Sequence, residues 1–255
     1  MSPNPEDFIA HLQSAGYHPR SDKHSNALAE AMVKDFITHC AVIERKAAVG
    51  ALVYDLNFMI LAGTSEWRVD LAMGAPDFGA PPPAAGTLIN RRRPSTVEIA
   101  IEIKSVMTEH RKAIKNRKRD FEAHHEHVHH YNALSIAGAV LVVNAAGRFR
   151  SPLRQGVTKH PVPHTLVQHC LDQLRAVAVR GGTTGYGLEA RCAVVVSHDN
   201  IDSSLTDYFT LPPAPSVGDP LHYDAFIQTV CRHYSDRFGH ELPRRRPRSS
   251  SRLGS

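Results

Sequence analysis

The chain has 255 residues, 42% of them hydrophobic and 22% charged, with 17 histidines and four cysteines. This composition excludes disordered and fibrous proteins, and no apolar run approaches the roughly 20 residues that a membrane span needs. The formal charge of +5 comes from segment 243–255: without its five arginines the 30 basic residues become 25, equal to the 25 acids. A neutral body excludes holding a polyanion by net charge, so any nucleic-acid surface must come from local clusters. No basic region followed by an apolar one opens the sequence, so no secretory signal is read. Cys40, Cys170, Cys192 and Cys231 are widely spaced, which argues against a disulfide framework or a cysteine zinc site and makes a reducing cytoplasm the expected compartment.

From Ser25 to about Ala48 the apolar residues Leu28, Met32, Phe36, Ile37, Cys40 and Ile43 recur at helical spacing, predicting one helix. Segment 50–63 reads as a strand, and Trp67–Met73 alternates as a second. Residues 74–95 are crowded with Pro, Gly and Ala and read as an irregular insertion ending in Arg91, Arg92 and Arg93. Thr96–Lys104 is the cleanest strand, with Ile99, Ile101 and Ile103 at every second position. A charged helix is expected over about 108–131, a buried strand over 137–144, a helix over 165–179, a strand over 192–197 and a helix over 223–238. The pattern is α/β with a mixed central sheet flanked by helices. One domain is expected over 1–242, followed by a disordered basic tail over 243–255.

The chemistry concentrates in Asp70, Glu102 and Lys104. Side chains at i and i+2 of a strand share a face, so Glu102 and Lys104 point together while Ile101 and Ile103 face the core. Charges on such a strand are costly unless paired or bound to metal. If the strands of Asp70 and Glu102 are neighbours, two carboxylates and an ammonium meet at one sheet end. Metal-assisted phosphodiester cleavage needs that combination: hard oxygen ligands for Mg²⁺ and a cation beside the attacking water.

Ile99-Ala-Ile-Glu-Ile-Lys-Ser105 resembles the ExK half-motif of the PD-(D/E)XK nuclease superfamily, and Arg68-Val-Asp-Leu-Ala72 resembles the strand carrying its first aspartate. The element order from about 25 to 197 is similar to that family's restriction-endonuclease-like αβββαβ core. The resemblance implies that Asp70, Glu102 and the Ile103 carbonyl ligate Mg²⁺, with Mn²⁺ as a substitute, and that Lys104 activates water or stabilises the transition state. It also implies a helix glutamate as a further ligand, for which Glu30 is the candidate and Glu44 the alternative. Pro76-Asp77 is a literal rival for the aspartate; Asp70 is preferred because a strand holds a ligand more rigidly than a Gly/Pro loop.

The run Arg111, Lys112, Lys115, Arg117, Lys118, Arg119 follows the ExK strand. Positions 111, 115 and 118 or 119 share a helix stripe, a surface suited to phosphates, as is the arginine triplet 91–93. His125-Glu126-x-x-His129 fits the HExxH pattern of zinc peptidases. It lies among five histidines in seven residues, and Asn132 stands where the extended motif wants glycine. His130 and Tyr131 are placed to approach the nuclease site by analogy with relatives. The function expected is a Mg²⁺-dependent DNA endonuclease of restriction or phage defence. Zinc peptidase and catalytically idle nucleic-acid-binding module are the alternatives. A homodimer is the simplest way to cut both strands, and target recognition would come from loop 74–95 or a partner protein.

Overall fold

The computed structural model describes residues 5–241; the basic tail lies outside them. In chain order the elements are α1 (Glu6–Ala15), α2 (Lys23–His39), α3 (Ala41–Ala48), β1 (Val53–Ala62), β2 (Ser65–Gly74), β3 (Asn90–Arg91), β4 (Ile99–Val106), α4 (His110–Tyr131), β5 (Ile136–Asn144), β6 (Arg148–Phe149), β7 (Thr158–Lys159), α5 (Pro163–Arg175), β8 (Ala190–Ser197), β9 (Asp207–Tyr208) and α6 (Tyr223–Phe238). The single helix expected over 25–48 is two. Cys40 takes an extended conformation (φ −121°, ψ 96°) and serves as the C-cap of α2 and the N-cap of α3. The break lets Phe36, Ile37, Val42 and Ile43 enter the same core. The insertion also contains a strand: β3 pairs in parallel with the start of β1.

Seven strands form one mixed sheet in the order β3-β1-β2-β4-β5-β8-β9. The pairs β1/β2 and β2/β4 are antiparallel, while β4, β5 and β8 run parallel. Parallel neighbours need crossovers, which α4 and α5 supply. Helices cover both faces. Ile99, Ile101 and Ile103 join Leu28, Met32 and Phe36 of α2 and Phe226 and Val230 of α6 in one buried cluster. Ala100, Ala139 and Leu141 join Ile114 and Phe121 of α4 and Leu171 of α5 in the other. Every residue of β5 is buried, as expected for a central strand covered on both faces. Gly138 lets α6 approach it: a Cβ there would lie 2.5 Å from Ile101 Cδ1 and 3.1 Å from the Phe226 ring.

One irregularity governs the site. Leu56 pairs with Leu71 and Phe58 with Val69, which sets Asn57 across from Asp70. Asn57 has φ 53°, a left-handed conformation that asparagine tolerates better than most residues. Leu56 and Leu71 belong to the α2 side of the sheet, whereas Phe58 and Val69 belong to the α4 side. Residues two apart on a regular strand share a face, so both strands exchange faces at the Asn57–Asp70 level.

Candidate active site

The β2/β4 ladder runs through Met73↔Ile99, Ala72↔Ala100 and Leu71↔Ile101, and it stops there. One step further, the Asp70 side chain replaces the missing backbone partner: the Ile103 N–H donates to Asp70 Oδ2 at 2.7 Å. Asp70 is thereby fixed beside Glu102 and Lys104 in the fork between two strands. Lys104 Nζ contacts Glu102 Oε1 and lies 3.9 Å from Asp70 Oδ2. The sheet therefore brings the two carboxylates and the ammonium together.

Burial sets the electrostatics. Glu102 is 3% exposed, and desolvation raises its carboxyl from 4.5 to about 8 despite Lys104. Asp70 is raised by the same cause, opposed by Lys104 and the Ile103 amide. Burial opposes the charge on Lys104, but Glu102 and Asp70 outweigh it and raise the ammonium. Behind Glu102 sits His124, wholly buried. Trp67 Nε1–H donates to its Nδ1 at 3.3 Å, so Nε2–H is left to donate to the Ala100 carbonyl at 3.2 Å. Burial holds this imidazole neutral, lowering it from 6.5 to about 3. Its Nδ1 lies 3.8 Å from Glu102 Oε2 with no proton to offer. That oxygen is left buried without a hydrogen-bond partner among the described residues.

Asp70, Ile103 and Lys104 open onto a cleft of ≈ 280 Å³ whose other walls are the α1–α2 connection, the start of α2 and Arg117 of α4. Ser25 stands by the Asp70 carboxylate, and Asn26 Oδ1 accepts from Asn57 Nδ2 at 2.8 Å. Tyr17 meets Ser105, and burial raises its phenol. Arg117 pairs with Asp120 at 2.9 Å, and its Nε is buried without a hydrogen-bond partner among the described residues. Arg117 was legible in the basic run but falls off the 111–115–118 stripe. Tyr17, Asp22, His24 and Ser25 carry no motif, and only tertiary folding brings them here.

The remaining candidates lie elsewhere. Glu30 is exposed and pairs with Arg91 at 3.4 Å, and Glu44 is exposed on α3; neither lines the cleft. Asp77 is exposed in the loop after β2. Arg91 also approaches Asp55 at 3.8 Å, Arg92 donates its backbone N–H to the Tyr54 carbonyl at 2.8 Å, and Arg93 stacks 4.7 Å over Phe58. The triplet thus edges the sheet at β1. Arg111, Lys112 and Lys115 are exposed on α4, while Lys118 pairs with Glu122 at 3.7 Å. His125 is buried against Tyr186, with ring centroids 4.3 Å apart, and His129 Nε2 meets Glu189 Oε2 at 3.1 Å. Arg180 and Arg237 also bind Glu189, at 2.7 and 2.9 Å, so that carboxylate is already neutralised. Glu126 is exposed, His130 approaches Gly63, and Tyr131 O–H donates to the Ser95 carbonyl at 3.4 Å.

Among the described residues no three His, Cys, Asp or Glu side chains form a group able to hold a metal ion. A structural zinc site, which needs four protein ligands, does not fit. Two carboxylates, one with a free buried oxygen, do fit Mg²⁺, which keeps several waters and takes its remaining ligands from substrate phosphate. No helix among the described residues is long and apolar enough to cross a membrane. The chain is an α/β protein with a mixed seven-stranded sheet and a buried carboxylate–lysine cluster in a strand fork. Comparison with protein-family models, curated proteins and solved structures finds no match to it.

Proposed function

We propose that this protein is a Mg²⁺-dependent DNA endonuclease of the PD-(D/E)XK type, with Asp70, Glu102 and Lys104 as its catalytic residues. The observation that carries the reading is the fork itself: a carboxylate from β2 bonded to the amide between Glu102 and Lys104, beside a cleft with an arginine wall. The order α2, β1, β2, β4, α4, β5 supports the restriction-endonuclease-like core. Asp70 and Glu102 would hold the ion, with Ile103 beside them. The ion would supply positive charge to the phosphate and a water of lowered pKa. Lys104, held between the carboxylates, orients a water and stabilises charge on the phosphoryl oxygens. Arg117, across the cleft, meets the phosphate from the other side.

The test is incubation of purified protein with plasmid DNA, with and without Mg²⁺. Cleavage is expected only with the ion. Glu102→Ala and Asp70→Asn should abolish it, Asp77→Asn should keep most of it, and Lys104→Ala should cost about 10²–10³-fold while leaving binding intact. Wild-type rates from Glu102→Ala or Lys104→Ala would refute the assignment. Lys104 already neutralises part of the carboxylate charge, which favours a second reading, an idle nucleic-acid-binding module. Mg²⁺-independent binding without any cleavage would select that one.

A further inference from the structure

At the far end of β4, beyond the carboxylate fork, a separate pocket of ≈ 350 Å³ is lined by Glu109, His110, Arg111, Lys112, Lys159 and His160 among others. His110 is 1% exposed and His160 4% exposed, and their rings meet edge to face at 4.8 Å. Each spends one ring nitrogen on a carbonyl: His110 Nε2 on Asn144 O at 2.8 Å, His160 Nδ1 on Ala146 O at 2.7 Å. A carbonyl only accepts, so those nitrogens carry the protons. The opposite nitrogens, His110 Nδ1 and His160 Nε2, are buried without a partner among the described residues. Two buried orphan nitrogens in one pocket call for a ligand.

The charge around them selects its sign. Arg111, Lys112 and Lys159 line the pocket, and the one carboxylate, Glu109, is engaged by Arg154 at 2.9 Å. The pocket also sits at the N-terminus of α4, which has no side-chain cap and whose N-cap Glu109 is left-handed (φ 48°). The Lys112 amide donates to the Glu109 carbonyl at 2.9 Å. The amides before it, of His110 and Arg111, have no partner within their own helix, and the helix dipole favours an anion there. Three cations and a helix N-terminus disfavour a metal ion, and no third imidazole, thiolate or carboxylate completes a metal set among the described residues.

We propose that this pocket is a phosphate-binding site, which takes a phosphate group of a nucleic acid. Neutral, the two free nitrogens hold lone pairs; protonated, they become donors toward phosphate oxygens. Burial, helped by the neighbouring His160 and opposed by the bond to the Asn144 carbonyl, holds His110 below its usual value, and a bound anion reverses that balance. The charged groups around the rings are Glu109 with Arg154, Arg111 and Lys112 on the α4 side, and Lys159 on β7. Binding therefore takes up protons and tightens as pH falls. His110 and Arg117 are seven residues apart on α4, about 10 Å along the helix axis, so a strand following α4 from this site reaches the fork. The inference does not rest on the nuclease reading.

Its test is carried out without divalent metal. Wild type is titrated with inorganic phosphate by calorimetry. It is then titrated by fluorescence anisotropy with one 3′-labelled oligonucleotide, with and without a 5′-phosphate. Lys112→Ala/Lys159→Ala, two exposed changes that spare the fold, should weaken phosphate binding roughly tenfold or more. His110→Gln should weaken it as well, and Glu102→Ala should leave it unchanged. A preference for the 5′-phosphorylated strand identifies a terminal phosphomonoester as the ligand; equal affinity identifies an internal phosphodiester. Absence of phosphate and oligonucleotide binding at millimolar concentration overturns the proposal. So does an unchanged affinity in the double lysine variant, or stoichiometric Zn²⁺ binding lost in His110→Gln. Because Glu102→Ala abolishes cleavage and spares this site, failure of one reading is distinguishable from failure of the other.

Discussion

Glu102 is the residue on which the site turns. Its carboxyl is raised from 4.5 to about 8, so between those values the folded protein holds a proton that the unfolded chain releases. The folded state binds more protons, and stability is fully present below the unfolded value and is lost as pH rises toward about 8. Glu102→Gln keeps the shape without the charge. The fall in Tm between pH 5 and pH 8 should therefore shrink in this variant by at least ~2 °C, read by thermal melts of both proteins. The same proton must leave before an ion binds, so Mg²⁺ affinity should rise about tenfold per pH unit below that value and level off above it. A pH-independent affinity would mean that Glu102 is not a ligand. Asp70, Glu102 and Lys104 were legible in sequence because strand periodicity places them. Tyr17 and Ser25 were not, and Arg117 was legible as a basic residue but not as part of the site: their approach depends on how α1, α2 and α4 pack, which no local spacing encodes.

At the scale of elements, the fork depends on the break between β1 and β2 as much as on β4. Asn57, at φ 53°, turns both strands over at the level of Asp70 and is tied to α2 through Asn26. Asn57→Gly should preserve the turn. Asn57→Val places a β-branched side chain in the left-handed region, costing about 1–2 kcal/mol, and deletes the bond to Asn26. Its cleavage rate should fall more than its stability, because Asp70 loses its aim. Equal activity of Val and wild type, with melting measured alongside, would show that the turn does not position Asp70. The sequence pattern reached most elements. Isoleucine alternation marks β4, the apolar run marks β5, and α6 spans Tyr223–Phe238 as its periodicity predicts. The extended backbone at Cys40 was not legible, since the apolar spacing carries on at helical phase across it. Two-residue strands such as β3 and β9 are too short to have a period. The αL residue in β1 was hidden because asparagine carries no obligation to adopt it.

Across the whole molecule, the balance of 25 basic and 25 acidic residues outside the tail means that binding to a polyanion is local and salt-sensitive. On α4 the charges are unequal in freedom: Arg111 and Lys115 are exposed, whereas Lys118 is matched by Glu122 at 3.7 Å. Each phosphate that a cation neutralises adds about 0.9 to the slope of log affinity against log salt. Replacing Arg111, Lys115 and Lys118 with Ala should lower that slope by roughly two, with the paired lysine adding the least. The loss should be the same on every DNA sequence, because phosphate contacts position a duplex without reading it. Removal of residues 243–255 should change cleavage much less. The fork and the α4 stripe belong to one packed body, and their spacing fixes where a bound strand meets Asp70 and Glu102. Salt titrations in Ca²⁺, chosen to support binding without turnover, compare wild type, the triple variant and the truncation. An unchanged slope in the triple variant with a large loss in the truncation would place the DNA on the tail and leave α4 a solvated face.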